Sequence, residues 1–100
     1  QQGQRQKRLM VLVLPPQLTQ AEAKACLRGL LLELPAQDAV VVVDAGALLR
    51  FDSAALAVLL ELRRQSLAIS KTFAVAQMPT RLADLAALYG IGDLLVAAVE

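Results

Sequence analysis

A chain of 100 residues that is 57% hydrophobic, with a mean hydropathy of +0.55, has apolar area for one folded domain; this excludes a disordered chain, and no apolar run approaches the roughly 20 residues that would insert directly into a membrane. The formal charge is +1, but Arg5, Lys7 and Arg8 stand in a glutamine-rich start, and the rest of the chain carries seven basic against nine acidic residues; with three aromatic side chains in all, this argues against nucleic-acid binding. The absence of histidine and the single cysteine, Cys26, argue against a metal site, an internal disulfide and a Ser-His-Asp triad, so no metal and no cofactor are expected.

Residues 1–8 read as a flexible, solvated leader and residues 9–100 as the domain. Leu9 to Leu14 is a continuous apolar run stopped by Pro15-Pro16, the pattern of a strand buried on both faces. Thr19-Gln20-Ala21-Glu22 is a capping box and starts a helix. Ala23, Cys26, Leu27, Leu30, Leu31 and Leu34 then recur at helical spacing, and Pro35 closes the pattern. Cys26 falls on that stripe and reads as a small core hydrophobe. Ala39 to Val43, apolar throughout, predicts a central strand ended by Asp44. A helix from Ser53 to about Gln65 and a strand over Thr72 to Ala76 follow. Pro79 opens a third helix with Leu82, Leu85, Ala86 and Tyr89 on one side and Gly90 at its C′ position. Leu94 to Val99 suits either a short edge strand or a helical turn. Alternating strands and helices predict an α/β fold: a single domain with a mainly parallel or mixed sheet of about four strands and helices packed against it.

The turn into the second helix carries the functional argument. With Asp52 as N-cap, Phe51 and Leu56 occupy the two positions of a hydrophobic staple, and Ser53 becomes the first helical residue, beside free amides and the positive end of the helix dipole. Ser53 either helps to cap the helix or meets an anionic group there, such as a phosphate or a partner's carboxylate. Placed at ~100° per residue, Ala55, Leu56, Val58, Leu59 and Leu62 gather on a core face. The opposite side carries Ser53, Ala54, Ala57, Leu60, Glu61 and Arg64, a stripe of small residues with one leucine and charges at its far end. Such a stripe allows close approach of another protein. Catalysis by Ser53 would need a base, and the chain offers no histidine; it also lacks a Walker loop and a glycine fingerprint, so no enzyme is expected.

The valine strand, Asp44, Phe51-Asp52-Ser53-Ala54-Ala55-Leu56 and the leucine-rich helix together resemble the core motif of STAS domains, the family of anti-sigma-factor antagonists and sulfate-permease tails. The resemblance covers nearly the whole chain after the leader. The segment Pro79 … Leu82-Ala83-Asp84-Leu85-Ala86-Ala87-Leu88-Tyr89-Gly90-Ile91 is similar to the small STAS subunit of the Mla phospholipid transporter. That likeness implies a non-catalytic, cytoplasmic adaptor. It would bind the ATPase of an ABC transporter at the inner face of the inner membrane of a Gram-negative bacterium. The family's serine or threonine after the motif aspartate maps onto Ser53. In the antagonists this residue is phosphorylated by a serine kinase that is also the anti-sigma factor; in the transporter subunit the hydroxyl lies in the partner contact. Two departures stand out: Pro16-Gln17-Leu18-Thr19 replaces the antagonists' Gly-Glu-Leu-Asp-like segment, and Ala55 replaces the motif glycine. The sequence therefore predicts an adaptor that docks the Ser53 to Arg64 face, with help from the Leu82 to Tyr89 helix, onto the ATPase, with a phospho-switched antagonist as the alternative.

Overall fold

Four consecutive valines, Val40 to Val43, are stiff at Cβ and favour extended backbone, and they supply the middle strand of the computed structural model, which describes residues 11–95. In chain order the elements are β1 (Leu12–Val13), β2 (Gln17–Leu18), α1 (Gln20–Glu33), a 3₁₀ turn (Leu34–Ala36), β3 (Val40–Asp44), β4 (Arg50–Phe51), α2 (Ser53–Ala68), β5 (Thr72–Ala76), α3 (Thr80–Leu88) and a second 3₁₀ turn (Gly92–Leu95). One sheet has the order β1-β3-β5, parallel throughout, and a two-stranded parallel ladder joins β2 to β4. The α/β fold is as expected; the single sheet of about four strands is replaced, among the described residues, by these two. The leader, Leu9, Met10 and the stretch from Val96 to Val99 lie outside the described residues.

The expectation of a central strand at Ala39 to Val43 is met by β3, but the expectation that the first strand is buried on both faces is corrected. Leu12, Leu14, Val41, Val43 and Val75 are fully buried, whereas Val13 is 54% and Val40 50% exposed. The strand order advances in one direction without reversing, so right-handed crossovers place α1 and α2 on the same face of the sheet. On the other face Val13, Val40 and Thr72 are exposed, and Val42 and Ala74 are half-buried. A continuous apolar run cannot distinguish one covered face from two.

Helix α1 starts at the predicted capping box. The Thr19 amide and hydroxyl both donate to Glu22 Oε1, each at 2.7 Å, and these bonds hold the half-buried Glu22 carboxyl below its ordinary range. Leu30 and Leu34 are buried, while Ala23, Cys26, Leu27 and Leu31 are half-buried against the core. Burial raises the Cys26 thiol pKa, consistent with a packing residue rather than a nucleophile. Helix α2 runs three residues past the expected Gln65, to Ala68. Within this extension Ser66 is fully buried, and its hydroxyl is satisfied by donating to the Leu62 carbonyl at 2.7 Å.

Pro79 is the N-cap of α3 rather than its first residue. At the other end Gly90 has φ +72°. The Gly90 amide donates to the Ala87 carbonyl and the Ile91 amide to the Ala86 carbonyl, each at 3.0 Å, which is a Schellman ending built on the predicted glycine. Tyr89 is corrected: it is the C-cap residue and 58% exposed, so only Leu82, Ala86 and, in part, Leu85 face the core. Leu94 and Leu95 belong to the 3₁₀ turn, which decides the described part of the ambiguous tail in favour of a helical turn.

Candidate functional site

The start of α2 is built by its own cap. Asp52 has extended backbone and its Oδ1 accepts from the Ala54 amide at 2.8 Å, so the N-cap acceptor is Asp52 and not the Ser53 hydroxyl. Phe51 packs half-buried against the core, and Leu56 is buried. The predicted core face is borne out in full, with Ala55, Leu56, Val58, Leu59 and Leu62 all buried. On the outer face Ser53, Ala57 and Arg64 are exposed, while Ala54, Leu60 and Glu61 are half-buried. Asp44 closes β3 with an Oδ1 that accepts from the Gly46 amide at 2.8 Å, a turn-forming role.

Tertiary structure adds α3 to this face. Ser53, Leu56, Ala57 and Leu60 line a shallow groove of about 410 Å³ together with Tyr89 and Ile91. A second depression, of about 480 Å³, opens from the same Ser53 toward Phe51, Asp52, Arg81, Asp84 and Leu85, with Leu88 and Tyr89 on its rim. Ser53 and Tyr89 thus border both spaces, one apolar and one carrying charge. Arg81 lies over the Phe51 ring, its Cζ 5.0 Å from the centroid, so the guanidinium is held beside the groove by a cation–π contact. Leu88 is 78% exposed. An exposed leucine and tyrosine beside a small-residue helix face form an apolar area with a polar border, the composition of a protein contact. Tyr89 comes from the Leu82 to Tyr89 helix that was expected to help in docking, whereas Arg81 and Ile91 lie outside the site residues expected. The signal for Tyr89 was the Leu-Tyr-Gly ending of α3, but helical spacing placed it on the core side, whereas at the C-cap it is exposed.

The far end of the stripe is ordered by charge. Arg64 Nη2 lies 2.6 Å from Glu61 Oε2 and its Nε donates to Oε1 at 3.0 Å, while Gln65 Nε2 donates to Oε2 at 2.8 Å. The Arg64 and Gln65 hydrogen bonds bring the Glu61 carboxyl down from an ordinary value of 4.5 to about 2. Because the folded-state value is depressed, the stabilisation is present above about pH 4.5 and is lost as pH falls toward 2. Urea midpoints measured from about pH 6 down to about pH 2.5 are expected to fall less steeply in Glu61→Gln than in wild type. Superimposable profiles would show that the pair contributes nothing. Solvent screening at this partly exposed pair keeps the difference small.

A family model described as Mlab, STAS domain, matches residues 2–97. The chain belongs to the STAS domain family. A search of curated proteins finds no match to it. The small α/β architecture agrees with a STAS fold, and the family is generally non-catalytic. Among the described residues of this STAS domain no helix is long and apolar enough to cross a membrane.

Proposed function

We propose that this STAS domain is an adaptor subunit that binds, through the outer face of α2 and the end of α3, the cytoplasmic ATPase of a Mla-type phospholipid ABC transporter. The observation that carries the reading is the convergence of Ser53, Ala57, Leu60 and Tyr89 on one groove, with the small side chains of Ser53 and Ala57 leaving room for close approach. Ser53 is free to face a partner because Asp52 supplies the cap. The resemblance of the α3 ending to the Mla subunit, and the family description that names Mlab, favour the transporter over sigma-factor control. The adaptor works by contact: it stabilises or activates the ATPase, and ATP belongs to the partner. Its place is the cytoplasmic face of the inner membrane, reached through that partner.

The test is co-purification with the ATPase subunit encoded beside it. Wild type is expected to bring the ATPase down; Ser53→Arg, which fills the groove mouth, and Leu60→Asp, which places a charge on its wall, are each expected to reduce recovery at least tenfold, about 1.4 kcal/mol or more. Undiminished recovery with both variants would overturn the docking face. The alternative, an anti-sigma-factor antagonist, makes Ser53 a phosphate acceptor for a serine kinase, adding ~1.5 to 2 negative charges at the helix start. A phosphate located at Ser53 by intact-mass and fragment analysis after incubation with a cognate kinase would support that reading.

A further inference from the structure

Two helices of this protein start at one carboxylate. The β2–β4 ladder pairs Gln17 with Arg50 and Leu18 with Phe51, so the next residues, Thr19 and Asp52, are the N-caps of α1 and α2 and stand side by side. Thr19 is engaged with Glu22 of its own helix. Asp52 is divided between two helices: Oδ1 accepts from Ala54 in α2 at 2.8 Å, and Oδ2 accepts from the amide of Gln20, the first residue of α1, at 3.2 Å. The Gln20 amide has no acceptor within its own helix, because the first four N–H groups of any helix lack one. The carboxylate also lies at the positive ends of both helix dipoles.

We propose that Asp52 is a positioning residue, which pins the start of α1 to the start of α2 and thereby sets where Ser53 stands on the docking surface. Its importance for binding rests on the adaptor reading above; the pin itself does not. Packing of α1 against α2 sets the general separation of the two helices, and the ladder, two residues long on each side, aligns their starts; the Asp52 carboxylate is what ties the two first turns together directly. Ser53 directly follows the pin, and any displacement of α2 relative to α1 moves its hydroxyl against Tyr89, which sits on a separate element.

Asp52→Asn and Asp52→Ser separate the pin from the cap. Each keeps one oxygen able to accept from Ala54, and neither has a second acceptor oxygen in the place of Oδ2 to reach Gln20. Residue-resolved amide hydrogen exchange on the free protein is the readout. The Ala54 amide is expected to keep its protection, while the Gln20 amide exchanges roughly threefold to tenfold faster, the size of one net hydrogen bond. Recovery of the ATPase is expected to fall with it. Equal Gln20 exchange in wild type and both variants would overturn the pin. So would a parallel loss at Ala54 and Gln20, which would make Asp52 a cap alone. Failure of wild type to bind the ATPase would remove the adaptor reading and leave the exchange result standing.

Discussion

Leu59→Asp is expected to leave the protein unfolded at room temperature, whereas Leu60→Asp, one residue later on the same helix, is expected to leave it folded. Leu59 is fully buried, Leu60 half-buried at the groove. Truncating a buried leucine costs about 2–5 kcal/mol, and an unpaired carboxylate in the resulting space costs several more. Together, at roughly 5–10 kcal/mol, these are comparable with the roughly 5–15 kcal/mol that holds a domain of this size. At Leu60 the carboxylate can turn toward water, so the expected cost is about 1 kcal/mol. Far-UV circular dichroism with urea titration reads both. A cooperative Leu59→Asp transition at the wild-type midpoint would refute the packing of α2 described above. The contrast also guards the binding test, since loss of ATPase recovery by a folded Leu60→Asp protein cannot be attributed to unfolding.

Leu82→Ala is expected to release α3 before the rest of the domain. This helix has nine residues, too few to persist in water without packing. Its core-facing side chains are the fully buried Leu82, the small Ala86 and the half-buried Leu85. Removal of the Leu82 side chain costs about 2–5 kcal/mol, a loss that falls on the contact between α3 and the domain. Amide exchange in α3 is expected to accelerate well beyond that in α2, as a local opening rather than global unfolding. Because Arg81 and Tyr89 are carried by α3 and its cap, binding is expected to fail while α2 stays intact. Equal acceleration in α2 and α3 would mean that the domain opens as one unit.

Much of the fold was legible because its signals are local. The Thr19–Glu22 box, the Asp52 cap, Gly90 and the core face of α2 each depend on residues within one or two helical turns. The ladder of β2 with β4 was not legible: two residues on each side, Gln17-Leu18 and Arg50-Phe51, present no periodicity to read. Burial of β1 on both faces did not follow, because an all-apolar strand has the same pattern with one face covered or two. The site was half legible. The α2 stripe follows from helical spacing, but Arg81, Tyr89 and Ile91 come from thirty or so positions away and join it only in space.

By itself the sequence determined the three helices, the strands β1, β3 and β5, the caps of α1 and α2, the glycine stop of α3, the core face of α2 and the family, since propensity, capping and spacing act over short stretches of chain. Tertiary structure alone decided which sheet face is covered, where Tyr89 points, and that Asp52 serves two helices at once. Those properties depend on how distant segments are brought together, and the bond from Gln20 to Asp52, 32 residues apart, exists only because parallel pairing sets two helix starts side by side.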